Sequence, residues 1–182
     1  VHKIGETKAF DAFTGIDEII TRIEPVTFKR DFTLPPADAE VQQMYEALDI
    51  ALEQDVVLFA GKIDEHILRE RFDEEKALVI KYDFSPYFAV LWDILREGFK
   101  YDVYNVARGS ASGSYLLYLL GVTQLNPVEH GLMFERFLAE LRLTTGELPD
   151  VDIDISSDDR HYIQEYAKRR WGFEPVGTVN RY

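Results

Sequence analysis

Cysteine is absent from the 182 residues, which excludes disulfides and thiolate metal ligands and permits a reducing compartment. Histidine is scarce: the four, His2, His66, His130 and His161, are scattered without metal-ligand spacing and read as surface or packing residues. No apolar run is long enough to span a bilayer and no signal peptide is visible, so a soluble, cytoplasmic protein with no membrane partner is expected. Repeats and low-complexity tracts are missing too. Positive charge is in deficit, with 20 Lys and Arg against 33 Asp and Glu and a formal net charge of −13. Duplex affinity rests on neutralising phosphates with Lys and Arg, so this balance argues against a DNA-binding module acting alone. The first residue is Val rather than Met, from which an excised or processed piece is expected. A hydrophobic content of 46% is enough to bury a core, most simply in one domain.

Two motifs carry chemistry. In Asp150-Val151-Asp152-Ile153-Asp154-Ile155, alternate residues of a strand share a face about 6.5–7 Å apart, so the acids crowd one side while Val151, Ile153 and Ile155 pack behind. A row of carboxylates repels itself unless cations or water neutralise it, which makes a divalent metal its natural partner. A half-exposed strand with its acids on the wet side shows the same alternation. The second motif is Arg108-Gly109-Ser110-Ala111-Ser112-Gly113-Ser114, between a strand read over Tyr101–Val106 and a buried helix read over Tyr115–Leu120. A strand-to-helix turn of this kind offers backbone N–H groups, the positive end of a helix dipole and small hydroxyls, all suited to phosphate oxygens. Arg108 adds a guanidinium that can grip phosphate with two N–H groups. Close packing at a helix start uses the same glycines and serines.

Periodicity places these motifs in a helix-rich α+β chain. A short helix is expected over 15–23, ended by Pro25, then an extended stretch over 26–32 and a stiff break at Pro35-Pro36. Val41, Met44, Tyr45, Leu48 and Leu52 give residues 37–54 the spacing of an amphipathic helix. Two helices are expected over 63–72 and 74–82 in an acidic, solvated region. Ser85 is read as the cap of a helix running to about Gly98, with Pro86 at its first position. There follow a strand near 102–107, a helix over about 111–120, a helix near 128–139 after Asn126-Pro127, the Asp strand at 150–155, a helix from Ser156 or Ser157 to about Gly172, and a strand over 176–180. Lys168-Arg169-Arg170 reads first as a C-terminal trio complementing that last helix's dipole, with DNA contact as the other reading.

In order along the chain, Ala107 to Ser114, Leu119 to Thr123, Asn126-Pro127, Gly131 to Leu138 and Pro149 to Ile155 resemble the catalytic palm of the C-family bacterial replicative polymerases. These are the α subunits of DNA polymerase III and their phage-encoded relatives. Phe84 to Phe88 with Trp92-Asp93 resembles the helix before the family's Gly-rich turn, and Ile23 to Pro36 more faintly resembles the connector into the palm. Residues 1–15 show no likeness. The chain departs from the family pattern at Ala107, where a glycine is usual, and between Arg142 and Pro149, where it is a few residues longer.

The resemblance implies a nucleotidyltransferase-type palm, like that of DNA polymerase β, with additional N-terminal helices: residues 1–36 as N-terminal segment and connector, residues 37–182 as a partial palm. By position, Asp152 and Asp154 would be the catalytic metal ligands of a two-Mg²⁺ site, with Asp150 the weaker candidate. Gly109, Ser110, Gly113 and Ser114 would meet the triphosphate, and Arg108, Arg136 and Arg142 would neutralise it. Implied partners are primer-template DNA, dNTP and the remainder of the polymerase chain. In the family the third carboxylate, a lysine near it, the thumb and the fingers come later in sequence, so the chain alone is expected to be inactive. Two other readings stand beside this one. One is a self-contained small nucleotidyltransferase, for which Asp102 or Asp159 could serve as third carboxylate; the other is a non-catalytic structural fragment of a split polymerase.

Overall fold

The computed structural model describes Ile16 and residues 20–22, 35–138 and 149–173. The chain divides into two units, Val1–Thr33 and Leu34–Tyr182. Ile16 and residues 20–22 of the first are helical, within the helix expected there. The expected extended stretch over 26–32 and the strand over 176–180 lie outside the described residues, as does Arg142.

The second unit begins with helix α1, Asp38–Leu58, whose buried stripe is Met44, Leu48, Leu52 and Asp55. Helix α2, Glu65–Lys81, buries Leu68, Phe72, Glu75 and Val79. Two helices were expected in this region, but 63–82 holds no Gly or Pro to divide it, and one continuous helix forms. Asp64 caps it, accepting the N–H of His66 at 2.8 Å. In helix α3, Ser85–Phe99, Phe84 and not Ser85 stands at the cap position, and Pro86 lies in the first turn. The Ser85 hydroxyl instead shares a 2.7 Å hydrogen bond with that of Tyr45 on α1.

Strand β1, Asn105–Arg108, starts later than expected because Asp102 adopts a left-handed turn conformation at φ 56. A 3₁₀ turn, Gly109–Gly113, leads into the short helix α4, Tyr115–Leu119. The helix expected near 128–139 does not form over its described part. Asn126 accepts the N–H groups of Val128 and Glu129, Gly131 turns at φ +62, and only a 3₁₀ turn, Phe134–Arg136, follows. Strand β2, Asp152–Ile155, pairs antiparallel with β1, and helix α5, Arg160–Trp171, ends on Gly172 in the left-handed conformation.

One core joins Leu48, Leu68, Phe72, Phe88, Leu116, Leu117, Phe134 and Phe137 across α1 to α4 and the 3₁₀ turn at 134. A smaller cluster of Ala37, Val90 and Trp171 seats α5. Buried Asp93 of α3 reinforces it, accepting from the Tyr166 hydroxyl at 2.8 Å, the Trp171 indole at 3.1 Å and Arg96 at 3.0 Å. Arg170 pairs with Glu40 of α1, so one member of the basic trio is a packing residue. The architecture is mixed and helix-rich with a two-stranded sheet, in keeping with the α+β expectation. Among the described residues no helix is long and apolar enough to cross a membrane.

Candidate functional site

The register of β1 on β2 sets Arg108 opposite Asp152 and Val106 opposite Asp154. Along β1, Asn105 and Ala107 are buried while Val106 and Arg108 are exposed. On β2, Asp152 and Asp154 are exposed and Ile153 and Ile155 half-buried. Strand periodicity therefore presents both carboxylates and the guanidinium on one open face. Arg108 Nε lies 2.7 Å from Asp154 Oδ2, a diagonal cross-strand ion pair. No described side chain pairs with Asp152. Asp150 is exposed just before the strand, where its charge helps to push the Tyr87 phenol up to about 12, burial of Tyr87 being the larger cause.

Directly after Arg108 the chain turns at Gly109, φ +70, a conformation that favours glycine although the space around it is open. Gly113 is glycine for another reason: a Cβ there would lie 2.5 Å from the Met133 carbonyl oxygen. Arg71 of α2 fastens this contact, donating to the carbonyls of Gly113 at 2.7 Å and Leu132 at 3.0 Å. Ser114 is fully buried. Its hydroxyl donates to Glu75 at 2.9 Å and accepts the Leu117 N–H at 3.2 Å. Glu75 in turn accepts the N–H groups of Tyr115 at 2.9 Å and Leu116 at 3.1 Å. The first amides of α4 are thus filled by the protein's own side chains. Burial pushes the Glu75 carboxyl above its usual range, against the lowering pull of Arg71 at 2.5 Å and of the two amides.

On the outer side of the turn, Gly109, Ser110 and Ser112 line a depression of about 560 Å³ with Gly113, Leu132, Met133 and Arg136. That size accommodates a small ligand. Arg136, at the end of its 3₁₀ turn, is exposed and has no ion-pair partner among the described residues. The structure therefore brings Gly109, Ser110 and Arg136 together around one concavity, with Arg108, Asp152 and Asp154 on the adjoining sheet face. Gly113 contributes at the tight seam, and Ser114 lies behind it in the core.

Asp152 and Asp154 fit Mg²⁺ chemically, being hard oxygen donors on an open face where the ion can keep most of its water. Among the described residues no group of three or more His, Asp or Glu side chains is placed to hold a metal, so neither Asp102 nor Asp159 completes such a set.

Sequence reasoning missed Glu75, Arg71 and Asp55. Asp55 accepts hydrogen bonds from Tyr115 at 2.6 Å, Tyr118 at 3.1 Å and Asn126 at 2.9 Å, tying α1 to α4 and the loop beyond. The available signal was position: Asp55 continues the stripe of Met44, Leu48 and Leu52 at helical spacing, and Glu75 stands in the stripe of Leu68, Phe72 and Val79, where a solvated acid is out of place.

The family model for the bacterial DNA polymerase III alpha NTPase domain matches residues 41–182. DNA polymerase III subunit alpha of Aquifex aeolicus is 34% identical over 114 residues, 62% of this chain and 10% of that protein. The error-prone DNA polymerase of Caulobacter vibrioides is 39% identical over 102 residues, 56% of this chain and 9% of that protein. That of Anaeromyxobacter sp. (strain K) is 34% identical over 121 residues, 66% and 10% respectively. The chain spans about 10% of the length of these curated relatives. The resemblance read from the ordered motifs is borne out, and with β1, the Gly109 turn, Arg136 and β2 all inside the matched stretch, the chain belongs to the bacterial DNA polymerase III alpha NTPase domain family.

Proposed function

We propose that this chain is part of the catalytic palm of a DNA-directed DNA polymerase, of nucleotidyltransferase type, in which Asp152 and Asp154 hold Mg²⁺ and the Gly109 turn receives the phosphates of a dNTP. The observation that carries this reading is the placing of both carboxylates on one exposed face of β2, paired in register with the strand that ends in Arg108 and leads into the Gly109 turn. Mg²⁺ held by Asp152 and Asp154 would supply charge neutralisation at the attacking 3′-hydroxyl and at the leaving pyrophosphate. The chain's own groups do the rest. Gly109 lets the backbone approach phosphate oxygens, Ser110 and Ser112 offer hydroxyls beside it, and Arg136 brings a guanidinium with no competing partner among the described residues. Gly113 and Ser114 act from behind: the first allows the turn to seat on Met133, and the second, with Glu75, fixes where α4 begins.

A net charge of −13 leaves the grip on primer and template to the remainder of a polymerase chain. The test is primer extension by the full-length polymerase carrying this segment, with Asp152→Asn and Asp154→Asn compared separately. Each is expected to lose more than about a hundredfold in rate with the fold retained. Activity within a few-fold of the unsubstituted polymerase in both would overturn the assignment.

A further inference from the structure

The two acids of the proposed metal site are not equivalent. Asp152 is open, whereas Asp154 already holds a cation, the Arg108 guanidinium, at 2.7 Å. A carboxylate oxygen engaged with Arg108 Nε cannot offer the same lone pairs to a metal, so the two cations compete for one position. Both side chains are more than half exposed, at 61% and 56%, and an ion pair in such a setting is weak enough to be exchanged. The backbone sets the competition, because antiparallel register holds Arg108 diagonal to Asp154.

We propose that Arg108 is a positioning residue that occupies Asp154 until a divalent cation displaces it, and that the displacement frees its guanidinium for an anion arriving on the same face. The inference rests on Asp152 and Asp154 being the metal pair. Its consequence is positive coupling between the two ligands. A cation at Asp154 releases the arginine that a phosphate needs, and a phosphate that draws Arg108 away uncovers the carboxylate for the cation. With Arg108 in place the negative charge of the face is partly neutralised without metal, which eases the repulsion between Asp152 and Asp154.

Calorimetric titration of the 182-residue chain with Mn²⁺ alone, in the unsubstituted, Arg108→Gln and Asp154→Asn forms, tests this directly. Arg108→Gln is expected to bind about two- to fivefold more tightly, the range set by the strength of exposed ion pairs. Asp154→Asn is expected to lose the site. A second readout separates displacement from the general loss of one positive charge. In the unsubstituted chain, the Nε–H resonance of Arg108 should move during a Mg²⁺ titration with the midpoint of metal binding, toward its position in metal-free Asp154→Asn. Asp154-dependent binding of equal affinity in the unsubstituted and Arg108→Gln forms, or an Nε–H resonance that stays still as metal binds, would overturn the displacement while leaving the metal pair intact. Binding that Asp154→Asn does not weaken would overturn both.

Discussion

Glu75 accepts the backbone N–H of Tyr115 at 2.9 Å, so a carboxylate forty residues away in sequence caps the helix that follows the glycine-serine turn. The same side chain takes the Leu116 amide, the Ser114 hydroxyl and the Arg71 guanidinium. Because Arg71 also holds the carbonyls of Gly113 and Leu132, this one ion pair, with Glu75 buried and Arg71 half-buried, sets the height of the turn against the 132–134 loop. The depression that Arg136 shares with Gly109 depends on that height.

Removing the Glu75 carboxylate should therefore unfold the site before it alters any ligand contact. Glu75→Ala leaves Arg71, one hydroxyl and two amides without their acceptor in a dry setting, and a loss of about 3–5 kcal/mol is expected. Glu75→Gln keeps one acceptor oxygen and should lose less, about 1–3 kcal/mol. Urea denaturation followed by circular dichroism measures both. Equal stability of the alanine variant and the unsubstituted chain would show that the cap is dispensable.

A second buried acid gives a pH dependence. Tyr115 and Tyr118 both donate to Asp55, and burial together with that carboxylate holds the Tyr115 phenol well above its ordinary range and pushes Tyr118 from 10.0 to about 12. Folding that raises an acid's pKa stabilises the folded state fully below the unfolded value and loses that contribution as pH rises through the folded one. Stability should accordingly fall between pH 10 and about 12, with tyrosinate absorbance rising together with unfolding. Asp55→Asn should be less stable near neutrality but show a shallower decline over the same window. A decline as steep as in the unsubstituted chain would assign the alkaline loss to other tyrosines.

The two glycines of the turn separate space from conformation. At Gly113 an added Cβ meets backbone, the Met133 carbonyl at 2.5 Å, so Gly113→Ala should lower stability by about 1–3 kcal/mol as the loop is forced away. Gly109 has no neighbour within 4 Å of an added Cβ, and Gly109→Ala should lose only the roughly 1–2 kcal/mol of a left-handed backbone. Gly109→Val should keep the fold yet weaken dNTP binding by the complete polymerase, since its side chain stands where phosphate would approach. Thermal melts beside nucleotide titrations check this. Binding unchanged in a folded Gly109→Val variant would mean that the turn serves packing alone.

What the sequence made legible was local. The alternation of Asp152, Ile153, Asp154 and Ile155 announces a strand, the stripe from Met44 to Leu52 a helix, and Gly172 a helix end, because each signal lies within one or two turns of chain. Glu75 as a helix cap and Asp55 as the acceptor for Tyr115, Tyr118 and Asn126 were illegible, since these partners lie far along the chain and an acid carries no mark of the donor it will meet. The apolar pattern after Asn126 misled for the opposite reason: Phe134, Phe137 and Leu138 are buried in the core, but Gly131 and the Asn126 carboxamide bend the backbone into turns. Arg108 was read as a phosphate ligand from its neighbours in sequence. Its pairing with Asp154 follows only from the strand register, which no single segment contains.

A polymerase site must hold template, primer terminus and dNTP together, and misplacement on the ångström scale costs about a hundredfold in rate. In the described part of this chain two carboxylates share the sheet face and no third joins them, while the net charge of −13 repels DNA. The 182-residue chain by itself is therefore expected to extend no primer, with Mg²⁺ or with Mn²⁺. The measurement is a primer-extension time course with Asp154→Asn alongside, which identifies any contaminating polymerase because a contaminant is indifferent to that substitution. Extension by the unsubstituted chain that vanishes in Asp154→Asn would place the third ligand within these residues and make the chain a polymerase in its own right.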